Sequence, residues 1–195
     1  MRVSFTQSKH GFTPWAVALI AVAWALAPAL AGPPAKTSIT PDEVNAAQQK
    51  WCDGLLEIGG AYRQGGDHYK AVASRFTDNL YDYKEGRVFF KPTLAFGEHT
   101  FRPTREGALS YFIKGIIPSD EGFALKHWVK CGYTNNAGGS GIQIHGDIAI
   151  TMGNVSLTNN EGKVTTVDKT FVFRKCSDGK LRLCVHHSSL HDPGK

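Results

Sequence analysis

The fold is decided by residues 147–190, DIAITMGNVSLTNNEGKVTTVDKTFVFRKCSDGKLRLCVHHSSL. Apolar and polar residues alternate along this stretch with the period of two that is typical of β-strands. Residues 159–162 and 177–180 have the composition of tight turns. With two earlier segments, the predicted strands are approximately 123–133, 141–146, 147–158, 164–175 and 181–189. Strands joined by such short turns predict an antiparallel meander.

The segment before the meander is predicted to be helical. In residues 39–44, ITPDEV, Thr40 can cap a helix, Pro41 suits its first turn and Glu43 completes a capping box. Apolar residues then recur on one face to about residue 64. Two shorter helices are predicted to follow caps at Asp67 and Thr104. Helices followed by a meander predict an α+β fold, with the helices on one face of a curved antiparallel sheet and a pocket at one end.

The first 31 residues are typical of a cleaved signal peptide. Arg2 and Lys9 precede an apolar run that ends in the small-x-small sequence Ala29-Leu30-Ala31. A membrane-spanning helix needs about 20 apolar residues, and this shorter run also contains Pro28, so cleavage is favoured over an uncleaved anchor. We therefore expect a periplasmic or secreted protein. The predicted parts are a signal peptide, 1–31, a leader, 32–39, a single domain, 40–191, and a tail, 192–195.

The charge of the chain argues against polyanionic partners. The full sequence has 22 Lys and Arg residues against 17 Asp and Glu residues, a formal net charge of +5. Loss of Arg2 and Lys9 with the signal peptide lowers this charge to +3, and no run of basic residues occurs. We therefore expect neither nucleic-acid binding nor, after signal cleavage, membrane binding.

Four cysteines allow two disulfides in an oxidising compartment, with three possible connectivities. They are Cys52, Cys131, Cys176 and Cys184. No C-x-x-C motif occurs, so neither a redox motif nor a zinc knuckle is indicated. Cys176 and Cys184 flank the predicted turn at 177–180 and would lie too far apart along the ladder to bond. One or two disulfides between elements distant in sequence are expected, and the connectivity stays open.

The last predicted strand changes character near its end. Strict alternation places Leu181, Leu183 and Val185 on one face, which would be the core face. His187 and Ser189 continue that face, so the strand either enters a polar pocket or leaves the core for solvent.

Three blocks of sequence resemble the iota-class carbonic anhydrases. They are Phe90-Lys91-Pro92-Thr93, the run 101–112, FRPTREGALSYF, and His186-His187-Ser188-Ser189-Leu190. The resemblance covers about residues 40–191, and the blocks occur in the same order. His191-Asp192 stand before Pro193, where family members often have Pro sooner. This family belongs to the superfamily of nuclear transport factor 2 and the calcium/calmodulin-dependent kinase association domain, so the resemblance implies a cone-shaped fold and a homodimer.

The resemblance also implies reversible hydration of carbon dioxide to bicarbonate. Carried over by motif, the site residues are Thr93, Tyr111, His187 and Ser189. His187 would act as general base, because the pKa of histidine lies near neutrality. The three hydroxyl groups would orient water and stabilise the developing bicarbonate oxygens.

No metal cofactor is expected. His186 and His187 project to opposite faces of a strand, and a zinc site needs three or four convergent ligands. The residue pattern therefore favours a metal-free site, with zinc or manganese left open. Because one fold serves many functions, two alternatives also stay open: a non-catalytic ligand-binding or oligomerisation module, and a small hydrolase or isomerase.

Overall fold

A computed structural model describes residues 38–135 and 141–192, together with Met1 and Ser4. The chain divides into two units, residues 1–35 and 36–195, and the second is considered below. The predicted signal peptide falls almost entirely outside the described residues, as do most of the leader and the end of the tail. Among the described residues, no helix has the length and hydropathy that crossing a bilayer requires.

Three α-helices form one layer of the domain: α1 (Pro41–Arg63), α2 (His68–Leu80) and α3 (Arg105–Ile113). The predicted capping box of α1 is confirmed, since the Thr40 hydroxyl accepts from the Glu43 amide and the Glu43 carboxylate accepts from the Thr40 amide. Thr104 likewise caps α3 by accepting from the Gly107 amide. The predicted side-chain cap by Asp67 is wrong. The Asp67 carboxylate pairs instead with Lys70 at 2.8 Å.

Six strands form the second layer: β1 (Phe89–Lys91), β2 (Trp128–Asn135), β3 (Ile142–His145), β4 (Ile148–Asn159), β5 (Val164–Lys175) and β6 (Leu181–Leu190). The sheet order is β1-β6-β5-β4-β2, with β3 also paired to β4. The α+β prediction and the meander are confirmed. Two details differ: β1 pairs with β6 in parallel, and the strand expected from residue 123 begins at Trp128, after a short 3-10 helix, Phe123–Leu125.

An irregularity in the pairing of β5 with β6 decides which side chains of β6 face inward. Val172 is paired with Val185, but Phe173 is paired with Leu183, so Cys184 is an extra residue in β6. A bulge of this kind inverts the alternation beyond it. The prediction that Val185 and its successors on that parity face the core is therefore wrong.

The core lies between α1 and the inner face of the sheet. Trp51, Leu55 and Ile58 of α1 are buried, as are Phe171 and Phe173 of β5. Each such side chain contributes about 1.5–3 kcal/mol through burial. A disulfide between Cys52 of α1 and Cys131 of β2 spans 79 residues and adds about 4.5 kcal/mol on the chain-entropy account. Cys176 and Cys184 are free thiols, in agreement with the prediction that they do not bond to each other.

Candidate active site

Strand β6 and the residues just after β1 place buried polar side chains within an aromatic core. The parallel register pairs Phe90 with His186, and Thr93 follows β1 by two residues. His186 is 1% exposed, Ser188 0% and Thr93 2%. Because buried polar groups are costly unless they are hydrogen-bonded, their partners show how this site is built.

Thr93 and Ser188 form a directional hydroxyl pair. Their oxygens lie 2.6 Å apart, and the Ser188 hydroxyl also lies 3.0 Å from the carbonyl oxygen of Asp168. A carbonyl oxygen only accepts, so Ser188 donates to Asp168 and Thr93 must donate to Ser188. Lys91 donates through Nζ to the backbone carbonyl of Ser188 at 2.8 Å. The pair thus leaves lone pairs on Thr93 free for another donor.

Tyr111 of α3 is buried, and its hydroxyl has no hydrogen-bond partner of acceptable geometry among the described residues. Burial raises the pKa of this hydroxyl, and the neighbouring Thr93 side chain opposes part of the rise. Tyr111 lines a cleft of about 330 Å³ together with Leu94, Phe96 and Phe123. Tyr111 therefore walls a partly apolar cleft, and its hydroxyl lies beside the Thr93 side chain.

Both ring nitrogens of His186 are hydrogen-bonded. Nδ1 lies 2.8 Å from the Tyr81 hydroxyl, and Nε2 lies 2.9 Å from Nζ of Lys169. The imidazole stacks on Phe90, with ring centroids 4.4 Å apart, and meets the ring of Phe171 edge-on. Burial, and secondarily the Lys169 charge, lowers the pKa of His186 well below its usual range.

Lys169 of β5 lies on the inner face, directly opposite Ser188 in the ladder. It is only 2% exposed, and its Nζ stands 4.7 Å from the centroid of the Trp51 ring. Burial, with a smaller contribution from Lys91, lowers the pKa of Lys169 to about 7. A lysine of this kind can gain or lose a proton near neutral pH.

The structure separates the four site residues predicted from sequence. Thr93 and Tyr111 are buried and close to each other. The prediction that His187 and Ser189 face the interior is wrong, because the bulge at Cys184 turns both to the outer face. There they line a groove of about 450 Å³. The inward positions belong to His186 and Ser188.

Three residues of this cluster were missed from sequence for different reasons. His186 and Ser188 were assigned to the wrong face because a bulge has no reliable signature in one sequence. Lys169, in contrast, shares the parity of Val167, Phe171 and Phe173 along β5. A lysine on the apolar face of a strand was a signal that could have been used.

Among the described residues, one set of side chains could converge on a metal ion: Asp82, Glu85 and Cys176. Asp82 already forms an ion pair with Arg174, and it accepts from the Cys176 thiol at 3.4 Å. These residues take no part in the hydrogen bonds of His186, Ser188 or Thr93 described above. The set is explained as a partly buried ion-pair network.

The chain is an α+β protein whose helices pack against a mixed sheet around a buried imidazole and hydroxyl cluster. A sequence profile of the metal-independent carbonic anhydrases matches residues 42–190. The chain belongs to the metal-independent carbonic anhydrase family.

Two relatives show the extent of the similarity. A metal-independent carbonic anhydrase from Nostoc sp. (strain PCC 7120) is 48% identical over 156 residues, which cover 78% of this chain and 74% of the relative. A crystal structure of the iota-carbonic anhydrase from a cyanobacterium, complexed with bicarbonate, matches with a TM-score of 0.77 and 46% identity, over 84% of this chain and 99% of the other.

Proposed function

We propose that this protein catalyses the reversible hydration of carbon dioxide to bicarbonate in the buried cluster formed by β1, β6 and α3. The observation that carries the proposal is that β6 places a buried imidazole, His186, and a buried hydroxyl, Ser188, on its inner face, with the buried Thr93 hydroxyl bonded to Ser188. The similarity to a cyanobacterial enzyme whose structure contains bicarbonate supports it.

The reaction needs a proton acceptor and donors to oxygen. Water has a pKa of about 15.7, so its attack on carbon dioxide is slow unless a base takes the proton as the carbon–oxygen bond forms. His186 is the buried imidazole of the cluster, and we assign it this role in place of His187. The expectation that no metal cofactor is needed agrees with the metal-independent family to which the chain belongs.

The hydroxyl groups suit the oxygens of the product. The unpartnered Tyr111 hydroxyl can donate to an oxygen that becomes negative, and Thr93 has lone pairs that can accept from the attacking water. Preorganised donors stabilise developing charge most where bulk water is excluded. Phe90 and Phe112 wall this region, and their apolar surfaces suit uncharged carbon dioxide.

The test is stopped-flow carbon dioxide hydration, followed with a pH indicator, on protein stripped by chelator and assayed for metal by mass spectrometry. We expect full activity with far less than one metal ion per chain. Activity that disappears with the metal and returns with zinc or manganese would contradict a metal-free mechanism. Bicarbonate binding without hydration would indicate a non-catalytic ligand-binding module.

We further propose that the protein is exported after cleavage following Ala31. The sequence of residues 1–31 supports export, and so does the Cys52–Cys131 disulfide, since disulfides persist in oxidising compartments. N-terminal sequencing of the mature protein should begin at Gly32. Ala31→Arg should block processing, because the peptidase pocket admits only small side chains. Cytosolic protein that still carries the signal peptide would refute the proposal.

We infer a homodimer formed through the outer face of the sheet. Ile148, Ile150 and Met152 alternate with buried residues along β4, and Met152 is 52% exposed. Light scattering on the purified protein should give twice the mass of the chain, and Met152→Glu should shift it towards monomer. The matched control is Lys163→Glu at an exposed turn. A wild-type monomer at micromolar concentration would contradict the inference.

A further inference from the structure

A continuous chain of hydrogen bonds runs through the core behind the hydroxyl pair. Trp51 donates through Nε1 to the Tyr81 hydroxyl oxygen at 3.0 Å, and that oxygen lies 2.8 Å from Nδ1 of His186. Nε2 of His186 lies 2.9 Å from Nζ of Lys169. All four side chains are almost fully buried, so each polar hydrogen needs a partner within the chain.

Counting the polar hydrogens fixes the protonation state of every group in this chain of hydrogen bonds. Tyr81 has one hydrogen to donate, and its acceptor among the described residues is Nδ1 of His186. Nδ1 must then be unprotonated, so a neutral imidazole carries its hydrogen on Nε2. That hydrogen points at Nζ of Lys169, which can accept it only as an uncharged amine.

The opposite protonation state, with a charged Lys169, leaves the hydroxyl hydrogen of Tyr81 without an acceptor among the residues that the structure describes. A charged Lys169 would donate to Nε2, which moves the imidazole hydrogen to Nδ1 and directs it at Tyr81. Tyr81 would then receive two hydrogens, from Trp51 and His186, and its own hydrogen would have no acceptor among the described residues. Lys169 would also be a buried ammonium with no carboxylate paired to it in the described part of the chain, its charge compensated only by the face of the Trp51 ring at 4.7 Å. Both consequences are unfavourable.

We infer that Lys169 rests as an uncharged amine that sets the Nε2–H tautomer of His186, and that it is the residue on which the proton lost by water is held. This inference rests on the proposed carbon dioxide hydration. Lys169 acts through His186 and is therefore a positioning residue in the reaction.

The proton transfer balances along the chain. The water oxygen forms a bond to the carbon of carbon dioxide, and one O–H bond of that water breaks. Its proton passes to the Tyr81 oxygen while the Tyr81 proton moves to Nδ1 of His186. The Nε2–H bond of His186 breaks, and its proton bonds to Nζ of Lys169. The products are bicarbonate and a Lys169 ammonium, with His186 left as the Nδ1–H tautomer. After bicarbonate leaves, the transfers run in reverse: Lys169 returns a proton to Nε2, Nδ1 returns one to the Tyr81 oxygen, and Tyr81 gives its other proton to a water that has entered the site, which restores the resting state.

The groups around the pair favour the uncharged amine. Lys91, on strand β1 beyond β6, opposes a second positive charge at Lys169, and His187 opposes a charge at His186. Tyr81, whose backbone forms a β-bridge with Leu183, and Tyr111 of α3 also face the cluster, and burial keeps both protonated by raising their pKa values. Tyr133 of β2 donates to the backbone carbonyl of Lys169 at 3.3 Å, and burial raises its pKa to about 12.

The first experiment reads the tautomer directly, without substrate. Two-bond proton–nitrogen NMR spectra of protein labelled with ¹⁵N-histidine show which ring nitrogen carries hydrogen. We expect Nε2–H for His186 in the wild-type protein at pH 8. Lys169→Arg should convert it to Nδ1–H, since a guanidinium is always protonated and donates. Nδ1–H in the wild type would overturn the inference, whether or not the arginine variant folds.

The second experiment uses the hydration rate. We expect kcat of Lys169→Arg to fall by at least about 100-fold at every pH, although the positive charge is preserved. Lys169→Met should lose at least about tenfold and lack the rise of wild-type kcat between about pH 6 and 8. Lys163→Met, at an exposed turn, is the control and should match the wild type.

The two proposals fail in different ways. A wild-type protein with the Nε2–H tautomer and no hydration activity would refute the proposed function alone. A wild-type kcat that is retained in Lys169→Met, with an unchanged pH profile, would refute the role of Lys169 and leave the hydration reaction standing.

Discussion

Strand β6 presents the same two side-chain types to two different environments. His186 and Ser188 lie inside the domain, and His187 and Ser189, their immediate neighbours, lie on the outer face of the sheet. The inner imidazole is stacked between aromatic rings and bonded at both nitrogens. The outer imidazole is exposed. The two pairs of residues therefore have the same chemical groups. They differ in burial and in whether their hydrogen-bond partners are fixed.

The outer face shows what these residues do without an enclosed site. Ser189 lies 3.5 Å from the Asp168 carboxylate, and His191 reaches the same carboxylate at 2.8 Å. Both contacts are at least partly exposed, and exposed polar contacts of this kind contribute about 0–1 kcal/mol. In the single chain, water competes for every group in this groove, so a reacting oxygen there would gain little over bulk solution.

Replacing each histidine with alanine should give the largest contrast in activity between the two faces of β6. We expect His186→Ala to lower kcat/KM for hydration by about 10²–10⁴, the usual contribution of a general base. His187→Ala should change it by less than about threefold, because the exposed ring stands outside the cluster. Stopped-flow assays of both variants, with far-UV circular dichroism as the folding control, decide the matter. If His187→Ala had the larger loss, the inner face would not be the site.

The serines should give a smaller contrast in the same direction. We expect Ser188→Ala to cost about 10–100-fold in kcat/KM, because Thr93 loses its acceptor and the site loses a positioned hydroxyl. Ser189→Ala should be neutral within about twofold. Thr93→Val removes the other half of the pair, and its loss combined with Ser188→Ala should be less than the product of the two. Multiplicative losses would show that the hydroxyls act independently.

Local rules predicted most of the fold. The caps at Thr40 and Thr104 follow from residues three positions apart, and both form. Strands β3 to β6 begin and end within one residue of their predicted limits, because turn composition and alternation are local properties, whereas β2 begins five residues after its predicted start. Asp67 failed as a cap because an ion pair with Lys70 competes for its carboxylate.

The site was harder to predict because it depends on non-local geometry. Thr93 and Tyr111 came from resemblance to a family, and both are in the interior. The face of His187 came from alternation, which a single extra residue at Cys184 inverts. Tyr81 reaches His186 across 105 residues of chain, and no pattern in one sequence reports such a contact.

The interior and exterior also differ in how pH affects stability. Burial lowers the pKa of Lys169 to about 7, so the unfolded chain binds a proton there that the folded chain does not, and the free energy of unfolding rises with pH above 7. From pH 7 to 9 this effect amounts to about 2 kcal/mol. Lys169→Met should abolish it in urea titrations, and the exposed Lys163→Met should retain it. Parallel curves for all three proteins would mean that Lys169 stays charged when buried.

The smallest expected effect concerns the Tyr111 hydroxyl, whose removal should change activity and the free energy of unfolding in opposite directions. The Tyr111 hydroxyl is buried without a partner among the described residues, so Tyr111→Phe removes an unsatisfied group and should raise the free energy of unfolding by about 1 kcal/mol. The same change should lower kcat/KM about tenfold if the hydroxyl donates to a developing oxygen of bicarbonate. Tyr62→Phe at the exposed end of α1, with 41% of the residue accessible, is the matched control and should alter neither quantity. Urea unfolding and stopped-flow assays on the same preparations measure both. A gain in stability with unchanged activity would place the substrate away from Tyr111, and a loss of stability would show that the hydroxyl already has a partner in solution.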